Sequence, residues 1–287
     1  MNILFLSFLQ CLLLVILFIW LCRVCSSWNN YSLSSIEESY KDSRLQTPIL
    51  HKTDKQPLLP TLYIYIIHKT DMKHRHERFT GLLSKHFPTI AYQIVEPVPL
   101  SDVYDSLTSL LESNQLTHSS YLSILSGQKA KRGSHTVQSM SLTLTNIQIW
   151  EMESRQRQPR PFLILEDDFT LPGTFDADFQ DMIRHLPSSW DMIYLSCHIR
   201  KEEYQSSNRN HQLLPIHTRT HGQGAVLYHP NVVPLLLSAI YPIHLQIDHD
   251  IPDRLIMTKR IKAFMAVNTH LDTLIFNDNF YYGSSTQ

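Results

Sequence analysis

From Leu62 onward, short apolar runs rich in β-branched and aromatic residues alternate with stretches of helical periodicity. Residues 63–67 read as a strand. A helix through Phe79, Leu82, Leu83 and His86 follows it and ends at Pro88, and residues 92–95 form another strand. Val103, Leu107, Leu110 and Leu111 fall at i, i+4, i+7 and i+8, one face of an amphipathic helix. Val137, Met140, Leu144 and Ile147 mark a second helix, with Ser134 or Thr136 as its N-cap. Strands are predicted at the run that opens on Phe162 and at residues 192–195, 225–228 and 264–267. A helix after Asn231 accommodates Pro234 in its first turn. Such alternation predicts an α/β fold, a mixed and mostly parallel sheet with helices on its faces. In open sheets of this kind ligands bind beyond the carboxyl ends of the strands.

The chain before this body has a different texture. Residues 3–22 are apolar except for Ser7 and Gln10, and as a helix they reach about 30 Å, one membrane crossing. We read residues 1–25 as a membrane anchor. A cleaved signal peptide is the alternative, with small residues at Ser26 and Ser27, but no base precedes the run, which is long for a signal core. Residues 26–60 are serine-rich, mixed in charge and broken by Pro48, Pro57 and Pro60, the composition of a stem. Residues 61–287 are the organised body. Arg23, Lys41 and Arg44 follow the span, which by charge bias places the body in the cytoplasm. For a eukaryotic chain, a single-pass protein of the ER or Golgi with its body in the lumen is the other orientation. Asn30-Tyr31-Ser32 matches the N-glycosylation pattern.

Charge and cysteine content narrow the classes of function. The 287 residues carry Lys+Arg 25 against Asp+Glu 26, a net charge of -1 with no extended basic patch, which argues against a nucleic-acid partner. Hydrophobic residues make up 43 % of the chain, enough for a sizeable core. Cys11, Cys22 and Cys25 lie in or beside the apolar span, so Cys197 is the sole thiol of the body and no internal disulfide framework can form there.

The candidate chemistry starts at Phe162-Leu163-Ile164-Leu165-Glu166-Asp167-Asp168, where an apolar run ends in three carboxylates. Adjacent negative charges raise one another's pKa, so water or a cation must relieve them. Strand alternation puts Glu166 and Asp168 on one face and Asp167 on the other. Paired acidic oxygens on one face suit a hard divalent ion such as Mg²⁺ or Mn²⁺. An acidic turn that caps the following loop is the plainer alternative.

Four blocks carry a family likeness. The first, residues 65–79, has Arg75, Glu77, Arg78 and Phe79 in register, with His68 in place of an Asn and His74 in place of an Asp. The second is Leu144-Thr145-Asn146-Ile147-Gln148-Ile149-Trp150, with Asn146 in place of a His and no preceding Gly-Glu. The third joins residues 163–168 to Trp190-Asp191-Met192-Ile193-Tyr194-Leu195. The fourth joins Gly222-Gln223-Gly224-Ala225-Val226-Leu227-Tyr228 to Pro242-Ile243 and Asp248-His249-Asp250. In order and spacing these blocks resemble the family 25 glycosyltransferases, the group of lipooligosaccharide and procollagen galactosyltransferases.

The resemblance implies a GT-A fold, a UDP-sugar donor of galactose or glucose, Mn²⁺ or Mg²⁺, and inverting transfer to a hydroxyl of a glycan, lipid or protein acceptor. On that reading Asp168 ligates the metal, Glu166 assists it or meets the ribose, and His249 is a third ligand. Glu166, Asp167, Arg75 and Arg78 line the donor, the arginines reaching phosphate or uracil. Asp250, then Asp248, is the general base that takes the acceptor proton. Asp191 reads as a cap at a strand start, and Gly222 and Gly224 as places where backbone approaches a ligand or simply turns. Two rival readings stand beside this one. One is a catalytically silent relative that only binds, with Asn146 and the altered arginine turn as its symptoms. The other is a metal-dependent hydrolase built on Asp168, His244, Asp248 and His249.

Overall fold

Strand alternation sorts the apolar residues of this protein onto two faces of one sheet. The computed structural model describes residues 61–127, 135–198, 213–268 and 273–277. The expected anchor and stem lie outside the described residues. Pro57–Gln287 forms one compact unit.

The sheet has seven strands: β1 (Tyr63–Ile67), β2 (Ala91–Val95), β3 (Phe162–Glu166), β5 (Met192–His198), β6 (Leu213–Pro215), β7 (His221–Tyr228) and β8 (Ala263–Ala266). Their spatial order is β2-β1-β3-β7-β5-β8-β6. The pairs β1–β2, β1–β3 and β5–β8 are parallel, while β7 runs antiparallel to both β3 and β5, and β6 antiparallel to β8. A separate two-stranded ladder joins β4 (Phe169–Thr170), just past the acidic triplet, to β9 (Phe276–Asn277). The fold is therefore mixed α/β, as the alternation predicts.

Tyr65, Ile67, Phe162, Ile164, Met192, Tyr194, Val226 and Tyr228 enter one core. Ile64, Ile66, Leu163, Leu165, Ile193, Leu195, Ala225 and Leu227 enter the other. With both faces covered, the central strands read as unbroken apolar runs. Against the second core lie α1 (Lys73–His86), through Phe79 and Leu83, and α5 (Phe175–Arg184), through Phe175, Phe179 and Met182. The first core is closed by α2 (Leu100–Glu112), α4 (Val137–Ser154), α6 (Val233–Ile240) and α7 (Ile247–Ile251). A short α3 (His118–Ser126) joins them, capped by the Thr117 side chain and ended by Gly127 at φ 60°. A glycine tolerates that left-handed stop.

Local chemistry sets the ends of these elements. Thr136 and Ser139 exchange hydrogen bonds in a capping box at the start of α4. The chain enters α6 through a tight turn at Pro230–Val232, with proline in the first turn of the helix as the sequence suggests. Asp191 accepts from the Lys262 backbone N–H at 2.8 Å, which fixes the start of β5 beside β8 and bears out its reading as a cap. In β5 the register shifts between Tyr194 and Ser196. Past that irregularity Cys197 enters the first core, beside Tyr194, despite its odd spacing from Met192.

Burial pushes the Cys197 thiol up to about 12, so the nucleophilic thiolate is absent at neutral pH. Iodoacetamide at pH 8 should leave Cys197 unmodified in the native protein and label it fully in guanidinium, as read by peptide mass mapping. Labelling under native conditions would show that this strand end opens.

Candidate metal centre at the strand ends

β3 ends at Glu166, and the next two carboxylates follow in a turn. Asp167 faces α1. Arg75 Nη1 donates to Asp167 Oδ1 at 2.7 Å, and His68 Nδ1 lies 2.7 Å from Oδ2. A carboxylate only accepts, so Nδ1 of His68 carries the proton. Arg78 Nη2 donates to the Asp167 carbonyl at 3.1 Å. The His68 ring is buried and packs edge-on against Phe79, with centroids 4.9 Å apart. These bonds tie the ends of β1 and β3 to α1 through one buried acid. Arg75 and Asp167, both expected against the donor, are thus engaged with each other.

Glu166 turns to the opposite face. Its carboxyl is pushed up to about 8, first by burial and then by the charges of Asp168, Asp248 and Asp167, with Arg75 opposing. Asp168 is 4 % exposed. The acidic end of β3 thus shares one electrostatic neighbourhood with Asp248, which lies 80 residues later on α7. The sequence places Glu166 and Asp168 together on one side of the strand end and Asp167 on the other; Asp167 does turn to α1, whereas Asp168 follows in the turn past the strand, where alternation no longer sets its side.

His221 opens β7, next to α7. Ligand atoms of His221, Asp248 and His249 all lie within 4.8 Å of one another, and the two imidazole centroids are 4.4 Å apart. All three residues are half-buried. The backbone holds them there. Gly222 has φ 87°, a conformation natural to glycine, and its N–H donates to Asp248 Oδ2 at 3.4 Å. The Gln223 side chain donates to the Ile247 carbonyl at 3.3 Å, pinning the first residue of α7. Of the residues expected to ligate a metal, His249 joins this group, while Asp168 and Glu166 are not members of it. His221 is an addition, since a single histidine before a strand carries no motif.

Asp250 sits elsewhere. It is 1 % exposed, accepts from the His244 N–H at 3.0 Å, and lies 3.4 Å from Arg254 Nε. Burial raises its pKa, while Arg254 and the backbone donors oppose the rise. Arg254 also donates to the carbonyls of Ala239 and Pro242, each at 2.7 Å. This pair binds the loop between α6 and α7. The first-choice base is thus committed to structure, and the second choice, Asp248, is the acid that faces the cluster. Residues two apart on a helix point in different directions, which separates the two. His244, named with the hydrolase reading, has its Nδ1 3.4 Å from Thr117 Oγ1 and is not part of the three-residue group.

The chemistry of this donor set fits a divalent ion: two imidazoles and one carboxylate in reach of each other, with Glu166 and Asp168 adding negative charge beside Asp248. Without a cation the acids repel, and Glu166 keeps its proton across neutral pH.

Two stability experiments follow from these contacts. Asp167→Ala strands the buried His68 and the Arg75 guanidinium, and should cost about 2–3 kcal/mol in denaturant unfolding. A loss below about 0.5 kcal/mol would remove Asp167 from its anchoring role. Glu166 binds a proton more tightly folded than unfolded, so its contribution to stability falls as pH rises from the ordinary carboxylate range through about 8. In chelator, Glu166→Gln should raise stability by about 1–2 kcal/mol at pH 8, discounted for the residue's remaining solvent contact, and by little at pH 5. An equal effect at both pH values would contradict the crowding.

No family model matches this chain, and no curated protein matches it. Among solved structures, the apo crystal structure of mouse xyloside xylosyltransferase 1 is similar at a TM-score of 0.31 and 13 % identity, over 69 % of each chain. A likeness that loose carries no weight for fold or chemistry.

Proposed function

We propose that this protein is a metal-dependent glycosyltransferase of GT-A type that moves a hexose, galactose or glucose, from a UDP-sugar to a hydroxyl of a glycan, lipid or protein. The observation that carries this reading is the grouping of His221, Asp248 and His249, with Asp248 near enough to Glu166 at the end of β3 to help raise its carboxyl. The mixed sheet supports it, with its acid-bearing strand flanked by parallel β1 and antiparallel β7. So does the four-block resemblance to family 25. We take residues 3–22 as the anchor that holds the body at an endomembrane.

Asp248, His249 and His221 hold the cation, and Glu166 and Asp168 are the acids of the neighbouring strand end. When bound, Mn²⁺ neutralises charge that develops on the departing diphosphate. Asp167, with His68 and Arg75, fixes the strand end against α1 and leaves Glu166 on the other face. Arg78, through the Asp167 carbonyl, reinforces that orientation. Asp250 keeps α7 in place and leaves proton transfer to another group.

The full chain, assayed against a panel of UDP-hexoses, should release UDP in Mn²⁺ and not in chelator. Asp168→Ala and Asp248→Asn should each lower the rate by at least about 100-fold while the protein stays folded. Asp250→Asn should lower the melting temperature yet leave the rate per folded molecule within about threefold. Absence of turnover together with absence of metal-dependent UDP binding would make the protein a silent relative instead. A rate lost with Asp250→Asn at unchanged stability would return that acid to the role of base.

A further inference from the structure

We infer that His221, Asp248 and His249 form a preorganised site that binds a borderline transition-metal ion, such as Co²⁺, Zn²⁺ or Mn²⁺, before any nucleotide arrives and discriminates against Mg²⁺. The inference takes from the reading above the cation's place in the reaction, and adds which ion is chosen and in what order it binds. The first support is donor chemistry. Two imidazoles and one carboxylate lie with ligand atoms within 4.8 Å of one another. A cation about 2.0–2.2 Å from each would need donors roughly 3–4 Å apart, which a small side-chain rotation supplies. Imidazole nitrogen favours Co²⁺, Ni²⁺ and Zn²⁺, whereas Mg²⁺ prefers oxygen and gives up water reluctantly. An all-carboxylate site at the β3 end would show no such preference.

The second support is rigidity. The three ligands come from two short segments fastened to each other by adjacent hydrogen bonds. The Gly222 N–H holds the Asp248 carboxylate, and Gln223 holds the Ile247 carbonyl, so each ligand of α7 is registered against the strand that carries His221. The neighbours of the triad do the same. Ile247 and Ile251 are buried in the first core on either side of the Asp248-His249 pair. Little ordering is left for the ion to impose, so a diphosphate is not needed to complete the site. Partners that orient ligands in this way commonly change metal affinity by about 10–100-fold when removed.

The test uses the full chain without nucleotide. Calorimetric titration with Co²⁺ and with Mg²⁺, together with the visible absorption of bound Co²⁺, should show one site at least about 100-fold tighter for Co²⁺. His221→Gln and His249→Gln should each weaken Co²⁺ by at least about 10-fold and shift its spectrum, with unchanged circular dichroism. Gln223→Ala should weaken Co²⁺ with an unshifted spectrum, because it removes support and no ligand. Asp168→Ala should keep nucleotide-free Co²⁺ affinity within about threefold while abolishing donor turnover. Equal affinity for Mg²⁺ and Co²⁺, or Co²⁺ binding lost in Asp168→Ala and kept in both histidine variants, would overturn the inference and leave the transferase reading intact. Tight Co²⁺ binding with the expected histidine losses, but no UDP-sugar consumed with any ion, would sink the transferase reading and leave this site standing.

Discussion

The pleat of β3 separates two neighbouring carboxylates onto opposite sides of the sheet, and the rest of the site depends on that separation. On one side Asp167 meets a guanidinium and an imidazole that satisfy it. On the other, Glu166 feels the charges of Asp168 and Asp248. The same backbone thus ties one buried carboxylate to a guanidinium and an imidazole and leaves the other, Glu166, crowded by acids. Burial of an ion pair contributes little net stability, yet loss of one partner is costly, so Asp167 specifies an orientation more than it adds strength. The crowded side, where burial and neighbouring acids raise the Glu166 carboxyl, is where an ion can bring a net gain.

Much of this was legible in the sequence because period and burial agree. The runs opening on Tyr63 and Phe162 have no polar break, and both faces of the sheet are covered. The helix through Val103 and Leu107 has its apolar stripe at the spacing the core requires. Where periodicity and packing part company, the reading fails. α3 buries only Ser120 and Ile124, while its Leu122 and Leu125 stay exposed, so no stripe announces it. β6 has only three residues and gains its identity from pairing with β8, which is invisible locally.

The site was legible to the same degree and for the same reason. Glu166 feels the charges of Asp168 and Asp248 while Asp167 turns away to α1, as a pleat requires of two successive residues. From the sequence Asp250 is the first choice of base and Asp248 the second, both in one acidic motif. A five-residue helix at that point rotates them apart, and a run of Ile-Asp-His-Asp-Ile has too little length to declare itself helical. His221 gave no signal of its own. The one clue was the glycine after it, whose positive φ angles the strand start toward α7. His68 has a plain structural role: its imidazole reaches Asp167 and packs edge-on against Phe79.

The brevity of α7 has a consequence for how the centre behaves. A helix of five residues has almost no stability of its own, so its shape is borrowed from Ile247 and Ile251 in the core beneath and from the Asp250–Arg254 clasp behind. Loosening that clasp, or shaving a methyl group from the packing under the helix, would blur the spacing of the imidazoles without touching any of them. Selectivity among ions is in that sense a property of the hydrophobic interior, and drift in the core would surface first as a change of metal.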